Sequence, residues 1–381
     1  METRAFGRTG KQVSVLGMGT LRFENPDDVE AMAEVVYHAF ERGVNYFDTA
    51  PMYSKDRSET IVGRAVPEMR RTGRPFFVTS KSCASEAKYV RKDLERSLER
   101  LNVEAIDFYY VWSLIQPHQL GERRAGGALD EFRKAKEEGL VKHLCVSTHL
   151  GHEHVVAMLD ESEGLFEGML LGLNALNGRM RLSAIREAAR RGMGIGTMNS
   201  LAGGLLTAYA EHFEFLKRPE DVSILDTALR FNLSVPEVCV ALVGFRNKQD
   251  VDTAVDAVER IQLLNASELE TFMDRVDASW EGFCTRCNYC AGCPVGVPVL
   301  HLMEAYNHHR LKGPDHPKGV LDRLRSHWAM PDFLEHMNAC TACGRCERAC
   351  TQHLPILDRF TEIRALAEAE AKRGVKPKVR H

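Results

Sequence analysis

Several absences narrow this 381-residue chain before any motif is read. Its formal charge is −3, from 50 Lys and Arg against 53 Asp and Glu, so the charge balance calls for neither a polyanion nor an anionic surface. No nucleic acid and no membrane are expected, which leaves small molecules and proteins as partners. Nowhere do about twenty apolar residues run together, the length a membrane-crossing helix needs. The opening METRAFGRTGKQVS is polar and has no apolar leader core, so a soluble, cytoplasmic protein is expected. A Gly-rich phosphate loop is missing as well. GMGTLRFENPDD is not the G-x-G-x-x-G fingerprint that an open, doubly wound nucleotide-binding sheet would place after its first strand. Cysteine is scarce at first, with only Cys83, Cys145 and Cys239 before residue 284.

The thiols then arrive together. CTRCNYCAGCP supplies Cys284, Cys287, Cys290 and Cys293, and CTACGRCERAC supplies Cys340, Cys343, Cys346 and Cys350. In a reducing compartment such clustering points to metal rather than to disulfides. Zinc usually takes its thiolates from two separated C-x-x-C pairs, whereas a C-x-x-C-x-x-C run wraps one corner of an iron–sulfur cube. The fourth thiol of each run tends to cross to the other cluster. The spacing therefore assigns Cys284, Cys287, Cys290 and Cys350 to one 4Fe–4S cluster, and Cys340, Cys343, Cys346 and Cys293 to a second. Pro294 follows the first run, but Thr351 follows the second. Between the runs, PVLHLMEAYNHH and GVLDRLRSHWAMPDFLEHM repeat apolar residues at three and four, which predicts a helical ferredoxin-like module. The His-rich YNHHRLKGPDHPKG reads as a polar connection within it.

The first 270 residues alternate short apolar runs with amphipathic stretches. Strands are predicted at 13–20, 46–50, 76–81, 105–112, 141–148, 168–175, 193–199 and 238–245. Helical segments such as DDVEAMAEVVYHAFERG and EAKYVRKDLERSLERLN separate them, each ending near Gly or Asn. Eight strand–helix units over about 250 residues make a (β/α)8 TIM barrel, whose chemistry sits at the carboxyl ends of the strands. The expected fold is α/β: a barrel over 1–275, a small, mainly helical iron–sulfur domain over 276–365, and a charged tail over 366–381.

Barrel logic directs attention to strand ends. YFDTAPMYS places Asp48 at the end of one strand and Tyr53 on the following loop, and VTSKS ends the next strand with Lys81. Each alone reads as a turn cap, a packed aromatic or a surface charge. Together they form an acid, a phenol and an ammonium, in which Lys81 is expected to lower the Tyr53 pKa and Asp48 to orient Lys81.

Taken together, GRTGKQVSVLGMGT, GVNYFDTAPMYS with its following SE, VTSKS, IDFYY, GLVKHLCVSTH and SLAGG resemble the aldo-keto reductase family, in particular its members with a C-terminal iron–sulfur extension. The resemblance covers nearly the whole chain and implies a (β/α)8 barrel that binds a nicotinamide cofactor, usually NADP(H). It implies Asp48, Tyr53 and Lys81 as catalytic residues. Where the family carries a fourth catalytic residue, a histidine, this chain has Trp112, an indole that donates one hydrogen bond and accepts no proton. Losing that histidine is expected to cost transition-state stabilisation of roughly 3 kcal/mol. His118 and His149 lie nearby in sequence and read more simply as exposed or satisfied histidines. By the same resemblance Ser147, Thr148, Asn174 and Met198 meet the nicotinamide end, and Leu201, Gly203, Gly244, Arg246 and Lys248 the phosphates. The departures are Thr148 where asparagine is common, Leu170 where glutamine is, and Asn199–Ser200 in place of Lys-Pro.

The expected function is an oxidoreductase that acts on a small carbonyl or related substrate and passes single electrons through two 4Fe–4S clusters to or from a redox-protein partner. A hydride carries two electrons and a cluster one, so a converter such as a flavin is called for. Two other readings stand beside it. One is an electron-transfer subunit whose barrel is a silent scaffold; the other is a pair of clusters that only clamps the fold.

Overall fold

The computed structural model describes residues 1–114, 117–279, 283–284, 290–312, 319–328, 330–350 and 354–372. The chain forms two compact units, Met1–Asp274 and Arg275–His381.

In the first unit, β1 (Thr3–Ala5) and β2 (Gln12–Ser14) make an antiparallel hairpin. Eight parallel strands then close a barrel: β3 (Leu16–Gly19), β4 (Tyr46–Asp48), β5 (Phe77–Ser82), β6 (Ile106–Leu114), β7 (Val141–Thr148), β8 (Gly168–Gly172), β9 (Gly194–Met198) and β10 (Val238–Gly244). β10 pairs with β3, so no sheet edge is left open. Every barrel strand expected from the sequence is present. The predicted 13–20 run, however, is divided between the hairpin and the barrel. The chain bends at Val15, directly after Ser14, whose hydroxyl donates to Leu16 O (2.7 Å) and whose N–H donates to Asn45 Oδ1 (2.7 Å).

The hairpin has a packing role. Phe6, fully buried, packs at a tilt of 59° against Phe108 with ring centroids 4.7 Å apart and shares a core with Tyr46, Tyr110, Cys145 and Leu170. The ring occupies space that Gly168 and Gly194 leave open, since a Cβ at either would meet it. Burying such a ring stabilises the barrel by about 1.5–3 kcal/mol.

Helices between the strands follow the amphipathic pattern. Val29–Glu41 is capped by Asp28, which accepts from Ala31 N (3.1 Å), and its outgoing turn uses Gly43 at φ 93°. Ala87–Leu101 ends at Asn102 in the left-handed region.

The second unit contains the helices Val299–Lys312, Val320–Asp322, Phe333–Asn338, Arg345–Arg348 and Ile356–Lys372 and a π-helical turn at Arg323–His327, with no strand among the described residues. The fold class is therefore a TIM barrel followed by a small, mainly helical iron–sulfur domain. Ile356–Lys372 runs past residue 366, where the sequence reading begins the charged tail; residues 373–381 lie outside the described residues. No helix among the described residues is long and apolar enough to cross a membrane.

Candidate active site

β4 and β5 are neighbours in register, with Asp48 opposite Thr79, and that pairing assembles the site. Lys81, one pleat repeat beyond Thr79, turns into the barrel and donates from Nζ to Asp48 Oδ1 (2.6 Å) and Thr49 O (2.7 Å). Thr79 Oγ1 donates to the same carboxylate oxygen (2.9 Å). Side-chain exposure is 1% for Lys81 and 5% for Asp48, so the pair is withdrawn from water. Burial pulls the Lys81 ammonium below the ordinary lysine range, against the opposing pull of Asp48.

Tyr53 lies above this pair, its ring centroid 5.2 Å from Lys81 Nζ. Among the described residues nothing hydrogen-bonds its hydroxyl. The backbone beneath it is unusual: Met52, Ser54, Lys55 and Asp56 all have positive φ, a left-handed turn that L-residues adopt at a cost of about 1 kcal/mol or more each. Side chains hold that turn. Ser54 Oγ donates to Thr20 O (2.8 Å), and Asp56 accepts from Met52 N (3.1 Å) and from both terminal nitrogens of Arg100 (2.8 and 2.9 Å). Arg100 is close enough because Gly63 lets its helix lie directly on the Arg100 carbonyl, where a Cβ would clash. The Arg100 guanidinium brings the Asp56 carboxyl down to about 2.

Trp112 occupies the wall opposite. Its indole meets the Tyr53 ring edge-on, with centroids 5.6 Å apart at 81°, and its carbonyl accepts from the buried Arg123 (2.9 Å). The structure thus brings Asp48, Tyr53, Lys81 and Trp112 together at the carboxyl ends of β4, β5 and β6.

The expected effect of Lys81 on Tyr53 is corrected by the structure. The phenol is pushed up, not down, chiefly by burial and then by the Asp48 charge. Asp48 takes the ammonium for itself and adds its own repulsion to a phenolate. Tyr53 is therefore held protonated.

Burial also pushes Tyr46, Tyr109 and Tyr110 well above the usual phenol range; Tyr46 and Tyr110 share a 2.6 Å hydroxyl contact. The unfolded chain releases these protons above about pH 10 while the folded chain keeps them, so stability is full below that pH and lost as pH rises beyond it. The midpoint of urea unfolding is expected to hold from about pH 8 to 9.5 and to fall between about pH 10 and 11. A flat midpoint to pH 11 would contradict the assignment.

The residues expected at a nicotinamide are unevenly disposed. Ser147 Oγ is buried with no hydrogen-bond partner at the end of β7, which suits a carboxamide. Met198 packs partly buried against the barrel core nearby in the fold. Thr148, by contrast, donates to Leu114 O (3.0 Å) and accepts from Leu150 N (3.1 Å). Asn174 accepts from Leu176 N (3.0 Å) and donates to Asn199 O (3.3 Å). On the phosphate side Leu201 is half-buried, Gly203 sits at φ 68° and Gly244 ends β10 against Arg22. Arg246 is held by Asp250 (2.8 and 3.0 Å) and Lys248 by Glu34 (2.9 Å). His118 is exposed, 3.7 Å from Glu122.

In the second unit the two cysteine runs meet around one core. Cys284 and Cys350 are buried in it, and Cys290, Cys293, Cys340 and Cys346 pack against it. The buried Arg359 stacks 4.8 Å over the Tyr306 ring in the same unit. Asn307 holds the backbone of Cys284 on both sides, accepting from its N–H (2.8 Å) and donating to its carbonyl (2.7 Å). Cys343 is exposed on the loop before Arg345–Arg348, and Cys287 lies outside the described residues. Among the described residues no three His, Cys, Asp or Glu side chains converge as a metal-binding group. The donor set is nonetheless one of soft thiolates gathered on a single apolar core, which fits iron–sulfur chemistry.

An eight-stranded parallel barrel with a Lys–Asp–Tyr site at its carboxyl face, followed by a cysteine-rich helical unit, defines a class of oxidoreductase. The profile of the aldo/keto reductase family matches residues 15–273, and that of the 4Fe–4S dicluster domain matches residues 283–354. The chain belongs to the aldo/keto reductase family and carries a C-terminal 4Fe–4S domain. It is 25% identical over 310 residues to L-galactose dehydrogenase of Arabidopsis thaliana, covering 72% of this chain and 95% of that protein. It is 23% identical over 304 residues to the uncharacterized oxidoreductase YrpG of Bacillus subtilis, covering 68% and 91%. Among solved structures, aldo-keto reductase AKR11C1 from Bacillus halodurans, in its holo form, superimposes with TM-score 0.62 at 19% identity, covering 72% of this chain and 96% of that one. Glycerol dehydrogenase AKR11B4 from Gluconobacter oxydans gives 0.61 at 22%, covering 73% and 95%. At those identities the structural likeness concerns the fold.

Proposed function

We propose that this oxidoreductase reduces or forms a small carbonyl compound at the barrel mouth with NADP(H), and that two 4Fe–4S clusters carry single electrons between that chemistry and a protein partner. The observation that carries the barrel half is the buried Lys81–Asp48 pair beneath a protonated Tyr53 whose hydroxyl has no protein partner among the described residues.

When bound, a nicotinamide supplies or takes a hydride at the substrate carbon. Tyr53 delivers the matching proton to the carbonyl oxygen, its hydroxyl being both protonated and open to a substrate. As that proton leaves, Lys81, its Nζ 5.2 Å from the Tyr53 ring centroid, offers a positive charge to the developing phenolate, and Asp48 keeps it aimed. Ser147 Oγ offers a buried hydrogen bond to a carboxamide. Trp112 walls the site and contributes no second proton relay.

When loaded, each cluster holds or releases one electron. Cys284, Cys287, Cys290 and Cys350 would hold one cluster, and Cys340, Cys343, Cys346 and Cys293 the other. Joining one-electron to two-electron steps calls for a converter, for which a flavin is the proposed group.

Anaerobically purified protein is expected to be brown, with about eight irons and as many acid-labile sulfides per chain. About two zincs and no sulfide would end the electron-transfer half of the reading. The second reading, an electron-transfer subunit with a silent barrel, draws on Trp112 and on the acids already holding Arg246 and Lys248. Titration with NADPH and NADH separates the two, because a silent barrel binds neither.

A further inference from the structure

The two thiol sets differ in their access to solvent. Cys284 and Cys350 are each 8% exposed and sit in the core of the helical unit. Cys340 and Cys346 are half-buried, and Cys343 stands exposed between the helices Phe333–Asn338 and Arg345–Arg348, flanked by exposed Thr341 and Ala342. Of the first set Cys290 is half-buried and Cys287 lies outside the described residues, and Cys293 of the second is half-buried, so among the described thiols Cys343 is the exposed ligand at the clusters.

Within this unit Arg323 is engaged by Glu304 and Arg325 by Glu370. Arg345 and Arg348 are exposed, and among the described residues neither has an acidic partner within 4.0 Å. Glu347, the acid between them, accepts from Leu357 N (2.9 Å). Two free guanidinium groups thus border the exposed thiol. A 4Fe–4S cube bound by four thiolates carries net negative charge of its own, which would repel an acidic electron carrier. Guanidinium groups at its rim offset that charge and offer bidentate sites for carboxylates.

Resting on the two-cluster reading above, we infer that the loop around Cys343, with Arg345 and Arg348, is the electron port of this protein and docks an acidic redox protein. When loaded, a cluster held by Cys340, Cys343, Cys346 and Cys293 would exchange one electron with that carrier, and the cluster of the other set would exchange with it. Each transfer oxidises one centre and reduces the next by one electron, with no bond made or broken. Arg345 and Arg348 act on the encounter, not on the chemistry, so their effect belongs in a bimolecular rate that falls with salt.

The test uses the full-length protein with its clusters assembled. Cluster bleaching is followed by stopped flow after mixing with a reduced acidic plant-type 2Fe–2S ferredoxin, and separately with the reduced methyl viologen cation. The expected result is a ferredoxin rate constant about tenfold lower in Arg345→Glu/Arg348→Glu, and a wild-type rate that falls by a similar factor from about 20 to 200 mM salt. The viologen rate should not fall in the variant. Iron content is compared first; if the double variant loses iron, Arg348→Gln is read instead, with a smaller loss in the same direction. Equal ferredoxin rates in variant and wild type, or a rate indifferent to salt, overturn the port while leaving the clusters in place. Failure of viologen to bleach the wild type removes the electron-carrying role of the clusters and the port with it.

Discussion

Lys81→Met will destabilise the barrel by about 3–5 kcal/mol. Methionine keeps most of the lysine's length and volume, so packing inside β5 is largely preserved. What disappears is the only cation bonded to Asp48 among the described residues, where Asp48 is a carboxylate with 5% of its side chain exposed, and the donor to the Thr49 carbonyl. Asp48 keeps the Thr79 hydroxyl at 2.9 Å, too little to offset a buried charge. Equilibrium urea unfolding of the two proteins measures the difference. Removing both charges with Lys81→Met/Asp48→Leu should recover much of the loss, because breaking a buried pair costs more than replacing it with apolar side chains. A single variant within about 1 kcal/mol of wild type would mean that the pair is hydrated in solution and that the site is not the dry enclosure described above.

The second large effect is confined to rate. Tyr53→Phe is expected to lower kcat for carbonyl reduction by about 10²–10⁴ while shifting unfolding stability by less than about 1 kcal/mol. The split follows from the hydroxyl's surroundings. The ring packs edge-on against Trp112 and over Lys81, contacts phenylalanine keeps, and no described residue hydrogen-bonds the oxygen. Removing it therefore breaks nothing in the resting protein and deletes only the proton given to the substrate. KM should change less than kcat, since the lost interaction matures in the transition state. An unchanged kcat would move the proton to another donor; no measurable turnover in either protein, together with no nicotinamide binding, would favour the silent barrel.

Much of the architecture was legible from residue order. Alternating apolar runs located all eight staves, the 3.6 period located Val29–Glu41 and Ala87–Leu101, and two cysteine runs announced the iron–sulfur domain. The N-terminal hairpin was not legible. A three-residue strand carries no periodicity, and the burial of Phe6 depends on Gly168 and Gly194, more than 160 residues away in sequence. Neither was the left-handed turn at 52–56. Nothing in MYSKD asks for positive φ, and its support comes from Thr20 and Arg100, on other elements. The direction of the Tyr53 shift went against expectation for a related reason: sequence brings a phenol, a lysine and an aspartate together but cannot say how deeply the phenol is buried, and burial, followed by the Asp48 charge, pushes it up.

Residue order alone thus determined element types, the order of the barrel strands and the chemical kind of every candidate ligand, because periodicity and short spacings are local properties of the backbone. Tertiary structure alone decided which charges neutralise one another, which hydroxyls remain unsatisfied and which thiols face solvent. Those outcomes depend on distances of a few ångströms between residues far apart in the chain, and on how much water each pair retains.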